Sequence, residues 1–168
     1  MTAQKNTFNP QKGFTLIELL VVIGILAILL AITLVAINPA KQFAQANNTK
    51  RQADVNAILN AIDQYAADHS GTLPGGLSAG TVTTFTDIGQ GGSKVDLCAS
   101  LVPTYIAALP SDPTSNDATV NGQIPSTCPA NYDTAYQVEN ATGSGRVSVE
   151  ASYAQAINGV TPVIQVTR

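Results

Sequence analysis

The chain has 168 residues, of which 45% are hydrophobic and only 11% are charged, against roughly 25% charged residues in an average globular domain. The high apolar content excludes a mainly disordered chain, because enough apolar surface is present to offset the entropy of ordering. Eight basic and 11 acidic residues give a net charge of −3. That balance offers no basic surface for nucleic acid.

Apolar residues are concentrated in one segment near the N-terminus. Between positions 14 and 37, 20 of 24 residues are apolar, the exceptions being Thr15, Glu18, Gly24 and Thr33. As a helix this segment would be roughly 36 Å long, and the hydrocarbon core of a bilayer needs about 20 apolar residues. We therefore predict a membrane-spanning helix, with a core helix buried on every side as the alternative.

Residues 1–13 form a short basic leader before this helix. They include Lys5 and Lys12 and no acidic residue, which predicts retention on the cytoplasmic side. A secretory signal would be cut at small residues after the apolar segment, where this chain has asparagine and proline. A lipoprotein signal would need a cysteine there, and the first cysteine is Cys98. Neither kind of signal fits.

Glu18 places a carboxylate inside the apolar segment. A charge at the centre of a bilayer costs roughly 2.5–3.5 kcal/mol, and less near the interface. One interpretation is that Glu18 reaches the headgroups and complements the positive helix N-terminus. The other is that the chain is cut before Phe14, so that the new α-ammonium of the same or a neighbouring chain neutralises the carboxylate.

The segment Lys12–Ile23, with the sequence KGFTLIELLVVI, resembles the N-terminal signature of bacterial type IV pilins and type II secretion pseudopilins. The resemblance implies that a prepilin peptidase cuts after Gly13 and N-methylates Phe14. It also implies that Glu18 aids assembly by pairing with the terminal amine of a neighbouring subunit.

A second helix is predicted from position 41 to 69. Its apolar residues recur on one helical face, and they are Val55, Ile58, Leu59, Ile62 and Ala66. We expect this face to pack under a sheet and the helix to end near Gly71, a suitable left-handed C-cap.

Pro39 is expected to interrupt the two helices by removing a backbone hydrogen bond. The resemblance implies that the segment between Gly24 and Pro39 unwinds in a filament. Many type IV pilins carry this proline about four residues earlier, where this chain has Val35.

The C-terminal part shows the alternation of β-strands. Residues 132–138 and 147–153 alternate around a turn cluster at 140–145, which predicts a hairpin. A third strand is expected through Val160, Ile164 and Val166, and residues 81–88 form a strand or an extended loop. We predict an α+β fold, with the long N-terminal helix packed on a small antiparallel sheet. The segment 105–113 also resembles a stretch that precedes the sheet in several pilins and major pseudopilins.

Cys98 and Cys128 are the only cysteines in the sequence. The globular part should lie outside the cytoplasm, where a disulfide is permitted. A bond closing about 30 residues would stabilise the fold by roughly 3–4 kcal/mol in the chain-entropy model. Two independent buried thiols are the alternative.

A small cluster of oxygen-bearing side chains follows the segment 105–113, and it comprises Asp112, Ser115, Asn116 and Asp117. Ca²⁺ takes such oxygens as ligands, and the resemblance implies calcium because major pseudopilins bind it in a loop of this region. Turns contain the same residue types for backbone reasons alone, so we predict either a calcium site or an ordinary turn, and no other cofactor.

Enzymatic chemistry finds little support in the sequence. His69 is the only histidine in the sequence, so any Ser-His-Asp catalytic triad or Cys-His catalytic pair would have to include it. We expect no enzyme. From Thr72 onward the sequence has three basic and seven acidic residues, so nucleic acid is not an expected partner.

Four parts are therefore predicted: a leader at 1–13, an assembly helix at 14–37, an amphipathic helix at 38–71 and a globular head at 72–168. The leading hypothesis is a subunit of a type IV pilus-like filament, held in the cytoplasmic membrane before assembly. Its expected partners are copies of itself, the prepilin peptidase, membrane lipid and the inner-membrane assembly machinery. The alternatives are a periplasmic pseudopilin of a type II secretion system and an anchored binding module that never polymerises.

Overall fold

A computed structural model of the chain describes residues 13–77, 82–115, 123–124, 127–141 and 145–168. Residues 1–12 of the predicted leader lie outside this set. The chain divides into two compact units between Pro39 and Ala40. The helices and strands in chain order are α1 (Leu16–Ile37), α2 (Pro39–Asp68), β1 (Thr86–Gly89), α3 (Cys98–Leu101), β2 (Leu109–Pro110), β3 (Gln123–Ile124), β4 (Asp133–Ala141), β5 (Arg146–Glu150) and β6 (Gln165–Thr167).

The first unit is built on α1. Its 22 residues are almost entirely apolar, none of them is buried, and the helix is long and apolar enough to cross a membrane. The helix ends at Ile37 and is followed by the C-cap residue Asn38, whose backbone adopts a left-handed conformation with φ 47°. Asparagine tolerates that conformation better than most residues, and Pro39 then opens α2, where a missing N–H does no harm.

In the second unit, α2 buries the apolar face that the sequence predicts. Val55, Ile58, Leu59 and Ile62 are fully buried, while Ala66 is half-buried. After Asp68 the chain turns at Gly71, which has φ 86°, and its N–H donates to the Ala66 carbonyl over 2.8 Å.

A four-stranded antiparallel sheet, in the order β1-β4-β5-β6, completes this unit. One face of the sheet shares a single apolar core with α2, in which Tyr136, Val138 and Val149 are fully buried. β2 and β3 form a separate two-stranded ladder. The α+β class predicted from the sequence is thereby confirmed, and α2 is the helix that packs on the sheet.

The predicted hairpin is present as β4 and β5, but the strict alternation expected at the start of β4 is wrong. Residues 132–136 are buried in succession because the pairing of β1 with β4 shifts between Asp87 and Gly89, and Ala135 has φ 58°. Such an irregularity re-aims side chains locally.

The third strand was expected through Val160, and this placement is wrong. β6 begins only at Gln165, and Val160 pairs instead with Ile157 across a tight turn, with backbone hydrogen bonds of 2.8 and 3.1 Å. Pro162, which lacks an N–H, then follows and cannot donate to a strand ladder.

Candidate functional site

The first site predicted from the sequence is the start of α1. Thr15 is the N-cap, and the backbone N–H of Glu18 donates to its hydroxyl oxygen over 3.3 Å. In return, the Glu18 carboxylate accepts from the Thr15 backbone N–H over 2.9 Å and from the Thr15 hydroxyl over 2.7 Å. The pair forms a capping box, which satisfies two of the free N–H groups at a helix start.

In the single chain, therefore, Glu18 complements its own helix N-terminus, which is the first of the two interpretations drawn from the sequence. The arrangement still holds a carboxylate one turn from Phe14, which is 88% exposed. Thr15 was missed as a functional residue. The spacing Thr-x-x-Glu before an apolar run is the signature that could have found it.

The remainder of α1 is a continuous apolar surface. Gly24 lies within the helix, and a Cβ there would meet nothing within 4 Å. The break between the helices falls at Asn38, one residue before Pro39. Unwinding between Gly24 and Pro39 in a filament stays a prediction.

The second predicted site surrounds Asp112, which is engaged in a buried ion pair. Arg51 and Asp112 have fully buried side chains, and the Arg51 Nε and Nη2 groups donate to the two carboxylate oxygens over 2.6 and 3.0 Å. The backbone N–H groups of Thr114 and Ser115 donate to Asp112 Oδ1 over 2.8 and 3.0 Å. The carboxylate thus fixes the turn that follows it.

The network around Arg51 reaches the C-terminal part of the chain. Arg51 Nη1 donates to Asn48 Oδ1 over 2.8 Å, and Nη2 also donates to the Thr114 hydroxyl. Asn48 in turn exchanges hydrogen bonds with the Gln155 backbone, at 2.8 Å to its carbonyl and 2.9 Å from its N–H. Every strong donor and acceptor in this buried cluster therefore has a partner, which burial of charge requires.

The electrostatics of Asp112 follow from these contacts. Burial raises the pKa of the Asp112 carboxyl, but the hydrogen bonds from Arg51 and Thr114 and the charge of Arg51 outweigh it, so the pKa lies below its ordinary value. The sequence reading missed Arg51. The signal was available, because Arg51 precedes Val55 by four residues and so falls on the predicted buried face.

The calcium prediction rested on four residues, and the structure describes two of them. Both carboxylate oxygens of Asp112 accept hydrogen bonds from Arg51, and the Ser115 N–H donates to the same carboxylate. Asn116 and Asp117 lie outside the described residues. Within the described parts of the chain, no three His, Cys, Asp or Glu side chains gather as a metal site. Calcium binding stays a prediction.

Cys98 and Cys128 form the disulfide expected from the sequence, with their Cα atoms 5.7 Å apart. The bond joins the start of α3 to the segment before β4. Tyr132 supports the same junction, because its hydroxyl accepts from the backbone N–H groups of Leu97 and Cys98 and donates to Asp96 over 2.8 Å. Burial and the hydrogen bond to Asp96 raise the pKa of Tyr132.

Known proteins share two parts of this picture, the N-terminal motif and most of the chain's length. Residues 8–34 match the family described as the prokaryotic N-terminal methylation motif. The chain is 33% identical over 112 residues to the type II secretion system core protein G of Escherichia coli (strain K12), an alignment covering 65% of this chain and 70% of that protein. No solved structure matches the chain.

The N-terminal methylation motif and the unburied apolar helix fit a membrane-anchored precursor, and the α+β unit that follows is consistent with a pilin-like fold. The chain belongs to the type IV pilin and pseudopilin family. Members of this family are structural subunits and not enzymes.

Proposed function

We propose that this chain is the subunit of a type IV pilus-like filament. It is inserted in the cytoplasmic membrane, cut after Gly13 by a prepilin peptidase and N-methylated at Phe14, and it then polymerises through α1. The observation that carries the proposal is that α1 presents 22 residues of which none is buried in the single chain. Packing α1 against copies of itself would replace lipid contacts by helix–helix contacts, which tight packing and polar pairing favour in membranes.

Glu18 is the residue that we assign to assembly. In the single chain its charge is satisfied by Thr15, so the precursor tolerates it near the start of the span. After cleavage, the α-ammonium of Phe14 on a neighbouring copy becomes a stronger, charge-assisted partner. A subunit in the wrong register would leave the carboxylate without that partner, which penalises misassembly.

The test separates the two roles of Glu18 by three variants of the full chain. Glu18→Ala removes capping and charge, Glu18→Gln keeps an oxygen that accepts from Thr15 but removes the charge, and Thr15→Val removes the capping hydroxyl. If pairing drives assembly, both Glu18 variants lose about tenfold or more of their filaments, since each 1.4 kcal/mol lost per contact is tenfold. Thr15→Val should then keep them.

Filaments are measured by electron microscopy and by sedimentation after shearing, and mass spectrometry of the mature N-terminus checks that Phe14 is methylated in each variant. Normal filaments in Glu18→Gln together with their loss in Thr15→Val would assign Glu18 to capping alone. An uncut N-terminus in the wild type would favour the anchored binding module that never polymerises.

A second candidate function is favoured by the likeness to a type II secretion system core protein. In that case the same cleavage and the same α1 contacts build a short periplasmic pseudopilus that moves exoproteins, driven by the secretion machinery of the inner membrane. Deleting the chain distinguishes the two. Loss of long surface filaments with normal export supports the pilus, and loss of export without any surface filament supports the pseudopilus.

A further inference from the structure

We infer that the second unit carries a binding site for a small neutral sugar, in a cavity between the end of α2 and the end of the β4–β5 hairpin. The cavity is partly open to solvent and has a volume of about 430 Å³. Asp63 and Ala66 of α2 line one side, and Asn140 and Val147 of the sheet line the other. All of these residues belong to Ala40–Arg168, so the site does not depend on filament assembly.

The observation that points to a ligand is a buried amide oxygen without a hydrogen-bond partner. Asn140 is 1% exposed, its backbone N–H donates to the Val82 carbonyl over 2.8 Å, and its Nδ2 group donates to the Leu77 carbonyl over 2.7 Å. Its Oδ1 atom accepts from no group among the residues that the structure describes. Because an unpaired buried polar atom costs free energy, this oxygen favours a molecule that brings an N–H or O–H donor.

The side chain of Asn140 lies on the cavity side of the sheet. Side chains two residues apart on a strand share one face, and Asn140 shares the face of Tyr136 and Val138, which packs against α2. Val147, directly opposite Asn140 on β5, lines the same cavity. Since Leu77 holds the Nδ2 group, Oδ1 is the atom that the amide offers to a ligand.

The two charged side chains that line the cavity form an ion pair. Arg168 Nη1 donates to Asp63 Oδ2 over 3.1 Å, and the side chains are 47% and 43% exposed. Both remain within reach of a ligand, while their charges compensate each other. The cavity therefore offers a carboxylate, a guanidinium and an amide oxygen without a net charge.

These three groups select the class of ligand. An anion brings only acceptors, so it cannot pair with Asn140 Oδ1, and it would also face the Asp63 carboxylate. A cation can donate to Oδ1, but it would face the Arg168 guanidinium. An apolar molecule would leave Oδ1 unpaired. A hydroxyl group both donates and accepts, so a neutral polyhydroxylated molecule can pair with all three groups.

The remaining walls suit the ring of a sugar. Ala66, Leu73 and Val147 present apolar surface, against which the C–H face of a sugar ring can pack, and Thr72 adds a hydroxyl. Small-molecule sites have volumes of about 300–1,000 Å³. The cavity lies near the lower end of that range and therefore accommodates a monosaccharide or a disaccharide.

Binding is measured with the mature full chain in a detergent without a sugar headgroup. The probes are glucose, galactose, mannose and N-acetylglucosamine, each titrated by calorimetry and by saturation-transfer NMR. At least one should bind with a Kd on the order of 1 mM, the affinity of a ligand with roughly a dozen non-hydrogen atoms at ordinary ligand efficiency. Methyl phosphate and ethylammonium, the anionic and cationic probes, should not bind.

Two neighbouring alanines provide a variant and its matched control. Ala66 lines the cavity, whereas Ala67 is exposed and does not line it. Ala66→Phe should fill the cavity and weaken sugar binding about tenfold or more, and Ala67→Phe should leave the Kd unchanged. Urea denaturation checks that both variants fold.

Deoxyfluoro analogues of the bound sugar test the role of Oδ1 without changing the protein, and they decide the test if Ala66→Phe does not fold. Each analogue replaces one hydroxyl by a fluorine that cannot donate. One of them should bind about tenfold or more weakly, because a site built to hydrogen-bond a hydroxyl rejects the analogue that lacks it.

Absence of binding for all four sugars would overturn the inference and assign Asn140 Oδ1 to ordered water. An unchanged Kd in a folded Ala66→Phe variant, or equal affinities across the deoxyfluoro series, would also overturn it. Tighter binding of methyl phosphate or ethylammonium would contradict the neutral sugar. None of these results bears on filament assembly, so this inference and the proposed function fail independently.

Discussion

Arg51 is a charged side chain with no exposure to solvent, so its effect depends on how well its partners replace the lost hydration. Removing one partner of a buried ion pair costs about 3–5 kcal/mol because the other charge stays buried without compensation. Here the carboxylate of Asp112 also holds the N–H groups of Thr114 and Ser115. The pair thus links α2 to the turn after β2, and removing one of its partners costs more than removing one partner of an exposed pair.

Arg51→Met should therefore lower the free energy of unfolding by about 3–5 kcal/mol, since it leaves the Asp112 carboxylate buried without its cation. Lys50→Met is the matched control on the neighbouring position. Lys50 pairs with Asp54 at 2.5 Å but is 44% exposed, so its loss should cost no more than about 1 kcal/mol. Urea denaturation of the mature full chain in detergent measures both variants. Equal losses for Arg51→Met and Lys50→Met would contradict the assigned role.

The sheet places two glutamates close together on its outer face. Glu139 of β4 opposes Ser148, and Glu150 of β5 opposes Gln137, so the two carboxylates are diagonal neighbours on one face. Burial and the negative charge of Glu139 raise the pKa of Glu150 above its ordinary value. Because folding favours the protonated acid here, this group contributes most stability below about pH 4.5 and loses it as pH rises through the raised pKa.

Glu139→Gln should consequently stabilise the fold at pH 7 by about 0.2–1 kcal/mol, the usual size of a cross-strand charge effect. As the pH falls through the raised pKa of Glu150, that carboxyl becomes neutral and the charge effect is lost, so the variant and the wild type should converge on the same urea midpoint at pH 3. The difference between the two midpoints, followed from pH 3 to pH 7, is the measurement. If the variant were more stable than the wild type by the same amount at pH 3, the stabilisation would come from packing and not from charge.

The elements that could be predicted from the sequence are those with a strong local pattern. The apolar run predicted α1, and the helical spacing of Val55 to Ile62 predicted the buried face of α2. The turn cluster between two alternating runs predicted the hairpin of β4 and β5. Val160 was misplaced because a local turn competed with the strand. The spacing to Val55 places Arg51 on the buried face of α2, but it does not identify Asp112 as the partner, because the two residues are 61 positions apart in the sequence and no local pattern reports such a contact.

At the scale of the whole molecule, the low charge content has two sources. α1 contains a single charged residue, Glu18. The second unit also has few charges, and neutral polar side chains such as Gln45, Thr49 and Gln52 lie exposed on the surface of α2. A filament subunit is covered by copies of itself, and like charges on facing copies would repel. We therefore interpret the charge deficit as a property of both the membrane helix and the assembling surface.

The division of the chain between Pro39 and Ala40 predicts that the second unit folds alone. The buried apolar core begins at Ala44 and continues to Ile164, and no residue of α1 is buried. A fragment 40–168 should therefore be a soluble monomer without detergent, with a cooperative urea transition within about 1 kcal/mol of the full chain. It should form no filaments. A fragment 52–168 is the matched control, because it also lacks Arg51 and should lose about 3–5 kcal/mol or fail to fold. Aggregation of fragment 40–168 would contradict the prediction that the second unit folds alone. Equal stability of the two fragments would show that residues 40–51 do not contribute to the core.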